Sequence, residues 1–210
     1  MMRVNFTKTM PLPYVRGWAV SNLILLILLV VSSTRAQDTL TWTTNSYPVL
    51  GSTLGEIHQS LRQARGARNT KWDALTEWNI NWRFALTESG GECRAGSFST
   101  KTTLKLTLPR WTAPTNADLA TRSEWRRYIT ALAQHELGHA QFAQLAAAGV
   151  RKKLNETNVE PDCDLLKKKL NADCNTVVEN FKKRDQEYDE RTRHGETQGA
   201  ALIVPRPGPR

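Results

Sequence analysis

Ala131-Leu132-Ala133-Gln134-His135-Glu136-Leu137-Gly138-His139-Ala140-Gln141-Phe142 is the stretch from which the fold and chemistry of this 210-residue chain are read. Inside it lies His-Glu-x-x-His. Helix positions four apart lie one above the other, so His135 and His139 can reach one metal ion together. Glu136, one residue on from the first, is placed to act as general base on a zinc-bound water. The surroundings are helical. Trp125, Ile129, Leu132, His135, His139 and Phe142 recur at spacings of three and four, which puts both histidines on the apolar face. Two neutral imidazoles on a buried stripe need partners, and one metal serves both. Thr121-Arg-Ser-Glu124 reads as a capping box, so the helix is expected from Arg122 to Leu154.

Upstream, Trp78, Ile80, Trp82, Phe84 and Leu86 alternate with Asn79, Asn81, Arg83 and Ala85, the period of a half-buried strand. Glu88-Ser-Gly-Gly91 is a turn. Phe98, Leu104, Leu106 and Leu108 then oppose Lys101, Thr103 and Lys105 in a second strand, ended by Pro109 and Pro114. The pair predicts an antiparallel hairpin. Leu40, Trp42 and Thr44 suggest an earlier strand, broken at Tyr47-Pro48 and Gly51. Thr53-Leu-Gly-Glu56 caps a helix carrying Leu54, Ile57 and Leu61 as far as Gly66. Downstream, Asp164 to Arg193 forms another long helix, stopped by Gly195. A strand-rich first half and a helical second half give an α+β domain, its helices packed on one face of a small antiparallel sheet.

Residues 1–36 hold four basic residues and no acidic one, around an apolar run from Trp18 to Val31, and Thr34-Arg35-Ala36 offers small residues for cleavage before Gln37. This is a secretory signal peptide, and the expected location is secreted or periplasmic. Residues 37–199 form the one domain and 200–210 a disordered tail. The exported part carries 25 basic and 20 acidic residues, and no aromatic-interleaved basic patch suggests nucleic acid. Once the signal is cleaved, no membrane segment remains. The oligomeric state is not written in the sequence.

Cys93, Cys163 and Cys174 all fall in the exported part, where disulfides persist. On one helix Cys163 and Cys174 would lie about 16 Å apart, at 1.5 Å per residue. A bridge spans roughly 7 Å at most. Cys93 therefore pairs with one of them. Cys163, at the helix start, is favoured, which leaves Cys174 free and buried.

A catalytic zinc takes three protein ligands and keeps a fourth position for water. The metzincin pattern is excluded, because Phe142 and Leu145 occupy the places of its glycine and third histidine. The expected third ligand is His194, at a helix end from which it can turn into a cleft. Asp189 or a downstream glutamate (Glu156, Glu160, Glu179, Glu187 or Glu190) is the alternative. Tyr188 is either an oxyanion donor in catalysis or a core aromatic.

Leu106-Thr-Leu-Pro-Arg-Trp111, His135-Glu-Leu-Gly-His139 and Tyr188-Asp-Glu-Arg-Thr192-Arg-His194-Gly195 together resemble a bacterial family of predicted secreted zinc-dependent proteases, domain of unknown function 922. The likeness runs from Tyr47 to Gly199. It implies a zincin-like fold and an exported metalloprotease. It also implies His135 and His139 as ligands, Glu136 as base, and the Tyr188–Gly195 segment as the other wall of the site. The expected function is a zinc metallopeptidase whose peptide or protein substrate lies along a sheet edge as an added strand. Two other readings stay open: a non-catalytic zincin-fold binding protein of the cell envelope, and a metal-dependent amidase acting on cell-wall peptides.

Overall fold

The computed structural model describes residues 37–156 and 158–205, so the expected signal peptide lies outside the described residues. In chain order the elements are β1 (Gln37–Val49), α1 (Leu54–Ala67), β2 (Leu75–Ser89), β3 (Glu92–Trp111), α2 (Leu119–Asn155), β4 (Val159–Glu160) and α3 (Cys163–Thr192). A short 3-10 turn, Glu196–Gln198, follows α3.

β2 and β3 form the antiparallel hairpin that their alternation predicts, with Trp78 opposite Leu104 and Ile80 opposite Thr102. Gly90 and Gly91 turn it with φ of 62° and 76°, a region that glycine enters without steric cost. β1, however, lies parallel to β3 on its other side, from Gln37 opposite Ser99 to Val49 opposite Trp111. The sheet is therefore mixed, in the order β1-β3-β2, and not the antiparallel sheet expected. The fold class is α+β with a small mixed sheet and three helices. Alternation specifies a strand's faces but not which distant edge it joins, nor in which direction. β3 also runs through Pro109 to Trp111, where a stop was expected. Its pairing with β2 ends at Thr107, and a proline is tolerated where a strand has one neighbour only.

Both long helices lie on one face of the sheet. α2 starts earlier than its sequence suggests. Asp118 is the N-cap and accepts the Thr121 backbone N–H, while Thr121, expected as the cap, is buried inside the helix. Ala140, Ala143, Ala146 and Ala147 bring α2 close to the sheet, and Val150, Leu154, Leu166, Leu170 and Val178 fill the space around Ile80. A second cluster, Val49, Ile57, Leu61, Trp125, Tyr128 and Leu132, seats α1 against the first half of α2. α1 is capped as expected by the reciprocal Thr53–Glu56 box. No helix among the described residues is long and apolar enough to cross a membrane.

α2 and α3 run antiparallel and very close. A methyl added at Gly149 would come within 2.7 Å of Val177 Cγ1, and one at Gly138 within 2.4 Å of the Tyr188 hydroxyl. Past α3 the chain is held down more than expected. Arg127, gripped by Glu124, donates to the carbonyls of Gly199 and Ala201, and Ala200 and Leu202 pack on the second cluster. The tail expected to be disordered from residue 200 is therefore bound at its start.

Cys93 and Cys163 form a disulfide with Cα atoms 5.1 Å apart, and Cys174 is free and buried. The bridge fastens the start of α3 to β3, beside the β4 pairing of Cys93 with Glu160. It closes a loop of 70 residues, for which unfolded-chain entropy gives about 4 kcal/mol. The double substitution Cys93→Ala/Cys163→Ala is expected to lower the unfolding free energy by about 2–4 kcal/mol in urea melts while leaving the helical circular dichroism intact.

Candidate metal centre

His135 and His139 sit on the apolar face of α2, where their spacing puts them, and Asp185 and Asp189 sit four apart on the facing turn of antiparallel α3. Two i,i+4 pairs therefore oppose each other across the helix interface. Asp189 Oδ1 lies 3.1 Å from His135 Nε2 and 3.1 Å from His139 Nε2, and the two Nε2 atoms are 3.2 Å apart. Four ligands around a zinc ion at about 2.0–2.1 Å stand roughly 3.3 Å from one another, so these three atoms have the spacing of one face of that tetrahedron. His135, His139 and Asp189 fit a metal ion as a set of ligands.

Each ring is oriented from behind. The Nδ1 of His139 is 2.6 Å from Asp185 Oδ1, and the other Asp185 oxygen accepts from the Trp78 indole N–H on β2. His135 Nδ1 is 2.9 Å from Gln198 Oε1 in the 3-10 turn. Carboxylate or amide oxygens on Nδ1 turn Nε2 toward the metal position, the usual outer support of ligating histidines.

Glu136 is 4% exposed, and its Oε2 accepts the Thr76 hydroxyl at 2.7 Å. Thr76 is at the start of β2, so the sheet reaches the carboxylate beside the ligands. Burial raises the Glu136 pKa above the usual carboxylate range, against the Thr76 hydrogen bond and the nearby histidines. Burial also pulls His139 down, but Asp185 and Asp189 outweigh it and push His139 up to about 10. Burial would raise Asp189, yet its hydrogen bonds to His135 and His139 hold it well below its ordinary value.

Tyr188 is not where an oxyanion donor would be. Its ring stacks behind His135, with centroids 5.0 Å apart, and its hydroxyl reaches the His135 carbonyl and Gln198. It backs the ligand and does not line the cleft. Gly138 lies directly under it.

His194, expected as third ligand, is outside the cluster of converging atoms. Its ring stacks on Trp72 at 3.5 Å, and its Nδ1 is 3.2 Å from Asp189 Oδ2. Asp189, the alternative, supplies the third atom instead. The reason is the chain reversal after α3. Arg193, His194 and Gly195 take φ of 50°, 52° and 85° in succession. Two non-glycine residues there cost about 1–2 kcal/mol each, offset by the His194 N–H on Asp189 O and the Gly195 N–H on Thr192 Oγ1. Gly195 has a second reason to be glycine: a Cβ would lie 2.9 Å from His135 Cγ. The turn thus lays backbone against one ligand and swings His194 away from the metal position.

The ligands and Glu136 open into a cleft of about 310 Å³, walled by the 71–76 segment on one side and by Arg193, His194 and Glu196 on the other. The profile described as "Bacterial protein of unknown function (DUF922)" matches residues 44–195. The chain belongs to this family. The DUF922 match runs from within β1 to Gly195, and so contains His135, Glu136, His139, Asp185, Asp189 and His194. No curated protein and no solved structure matches the chain.

Asp185, Thr76 and Gln198 do not emerge from the sequence reading. Asp185 carried a usable signal, since it precedes Asp189 by the same four residues that separate the histidines. Thr76 and Gln198 carried none, being ordinary polar residues in a strand and a loop.

Gly138 makes a local test. In an exposed helix Gly→Ala gains about 1 kcal/mol. Here Gly138→Ala must displace a phenol packed between His135 and Phe142. It is expected to lower thermal stability and to weaken zinc binding about tenfold or more by calorimetric titration. Unchanged affinity would separate Tyr188 from the support of His135.

Proposed function

We propose that this chain is an exported, zincin-like zinc metallopeptidase. The observation that carries the reading is the convergence of His135 Nε2, His139 Nε2 and Asp189 Oδ1 beside the Glu136 carboxylate in one cleft. Three oxygen and nitrogen ligands from two rigid helices, with a buried carboxylate one residue from the first, are the parts that metal-assisted hydrolysis needs. When bound, zinc supplies Lewis acidity toward a carbonyl oxygen and makes water acidic enough to attack near neutral pH.

The chain's own residues do the rest. Glu136 takes the proton of the attacking water and delivers it to the leaving amine. Thr76 holds one Glu136 oxygen, so the other is the one that meets the water. Burial above the usual carboxylate range suits a base that must also act as an acid in the next step. Among the described residues β2 pairs with β3 alone, so its outer edge is open for an extended peptide, and Thr76 ties that strand to the base. The Cys93–Cys163 bridge and the signal-like residues 1–36 support export.

The test is metal content and hydrolysis measured together on the purified exported protein, with casein, a peptide library and peptidoglycan fragments as substrates. Glu136→Gln is expected to keep about one zinc per chain and to lose about 10²–10⁴-fold in turnover. Asp189→Ala should lose both zinc and turnover. Full activity in Glu136→Gln overturns the mechanism. Zinc bound without cleavage of any substrate favours the binding-protein reading, and cleavage of peptidoglycan fragments alone favours the amidase.

A further inference from the structure

We propose that Trp72 and His194 together hold Asp189 to a single metal-facing oxygen and keep His194 itself off the metal, so that the site has three protein ligands and one open position. The proposal rests on the metal-site reading above and adds what sets its coordination number.

Asp189 has two oxygens with different partners. Oδ1 faces His135 and His139 at 3.1 Å each, and Oδ2 is 3.2 Å from His194 Nδ1. A carboxylate with a free second oxygen can swing to bind a cation through both. The edge of the His194 ring stands against that oxygen, in the way of such a swing. His194 is also the one further imidazole lining the cleft, on a residue next to the site. If it turned inward it would supply a fourth protein ligand, and four protein ligands make a closed, structural site.

What prevents this is Trp72. Its indole lies on the His194 ring at 3.5 Å, with 24° between the planes. Trp72 is 40% exposed and so is not held by core burial. Its backbone is fixed by its neighbour. The Asp73 carboxylate accepts from Arg65 at 3.1 Å and from the Tyr128 hydroxyl at 2.9 Å, and the Asp73 carbonyl accepts from the Tyr47 hydroxyl at 2.6 Å. Arg68 takes the Trp72 carbonyl at 2.9 Å. Groups from β1, α1 and α2 thus converge on the loop before β2, and the side chain this loop presents to the cleft is an exposed indole against His194. On the other side the left-handed turn at 193–195 fixes the His194 backbone. The ring is held by its face against Trp72 and by its backbone in the turn.

X-ray absorption at the zinc edge, with zinc affinity measured in parallel, tests this on the exported protein loaded with one equivalent of zinc. The parent is expected to show two imidazoles. His194→Gln, whose amide N–H can still reach Asp189, should keep two imidazoles and parent-like affinity. His194→Ala should bind zinc about 10–100-fold more weakly, with an added oxygen as Asp189 becomes bidentate. Trp72→Ala should either gain a third imidazole or lose affinity over the same range. Three imidazoles in the parent, or one imidazole lost in His194→Gln, overturns the proposal by making His194 a ligand. An unchanged spectrum and affinity in Trp72→Ala overturns the role of the indole. A parent that takes up no zinc overturns the metal-site reading as well, and is thereby distinguished from the other failures.

Discussion

The rest of the structure depends on how closely α2 and α3 approach. Two glycines on α2 make that approach, Gly138 beneath Tyr188 and Gly149 beneath Val177, in an antiparallel contact three turns long. Such a contact fixes the sliding of one helix along the other to within a fraction of a turn, because the ring and branched side chain fit only over the missing Cβ atoms. The candidate ligands inherit that register. His135 meets Asp189 and His139 meets Asp185 because the same alignment sets all four.

Burial then sets what the arrangement requires. His135, Glu136 and His139 are nearly inaccessible, and buried polar groups must be paired. Each has a partner, and the partners belong to different elements: Thr76 and, through Asp185, Trp78 from β2, Gln198 from the turn after α3. The sheet is therefore part of the site. Its hairpin supplies both the support behind His139, through Asp185, and the hydrogen bond on Glu136.

Local patterns were legible and distant pairings were not. The hairpin, the α1 cap and the helical character of the His135–His139 segment rest on periods of two and 3.6 residues, which one stretch of chain displays by itself. Helix geometry ruled out Cys163 with Cys174, and the place of Cys163 at a helix start favoured it over Cys174 as the partner of Cys93. The direction of β1 was not legible, since its partner on β3 is 62 residues away and alternation looks the same in either direction. The choice between His194 and Asp189 turned on three consecutive left-handed residues, and only Gly195 among them announces such a conformation. The start of the tail was misjudged because what holds it, the Arg127 guanidinium, lies more than 70 residues earlier.

The disulfide and the proposed metal site overlap along the chain. The disulfide joins residues 93 and 163, and a metal at the site would join 139 to 189, so the closed loops interlock along the sequence and neither lies inside the other. Any single break of the backbone between residues 140 and 162 falls within both loops. The two pieces would then stay joined covalently at one end of α3 and through the metal at the other. A chain nicked in the connection between its long helices would in this way keep the site assembled.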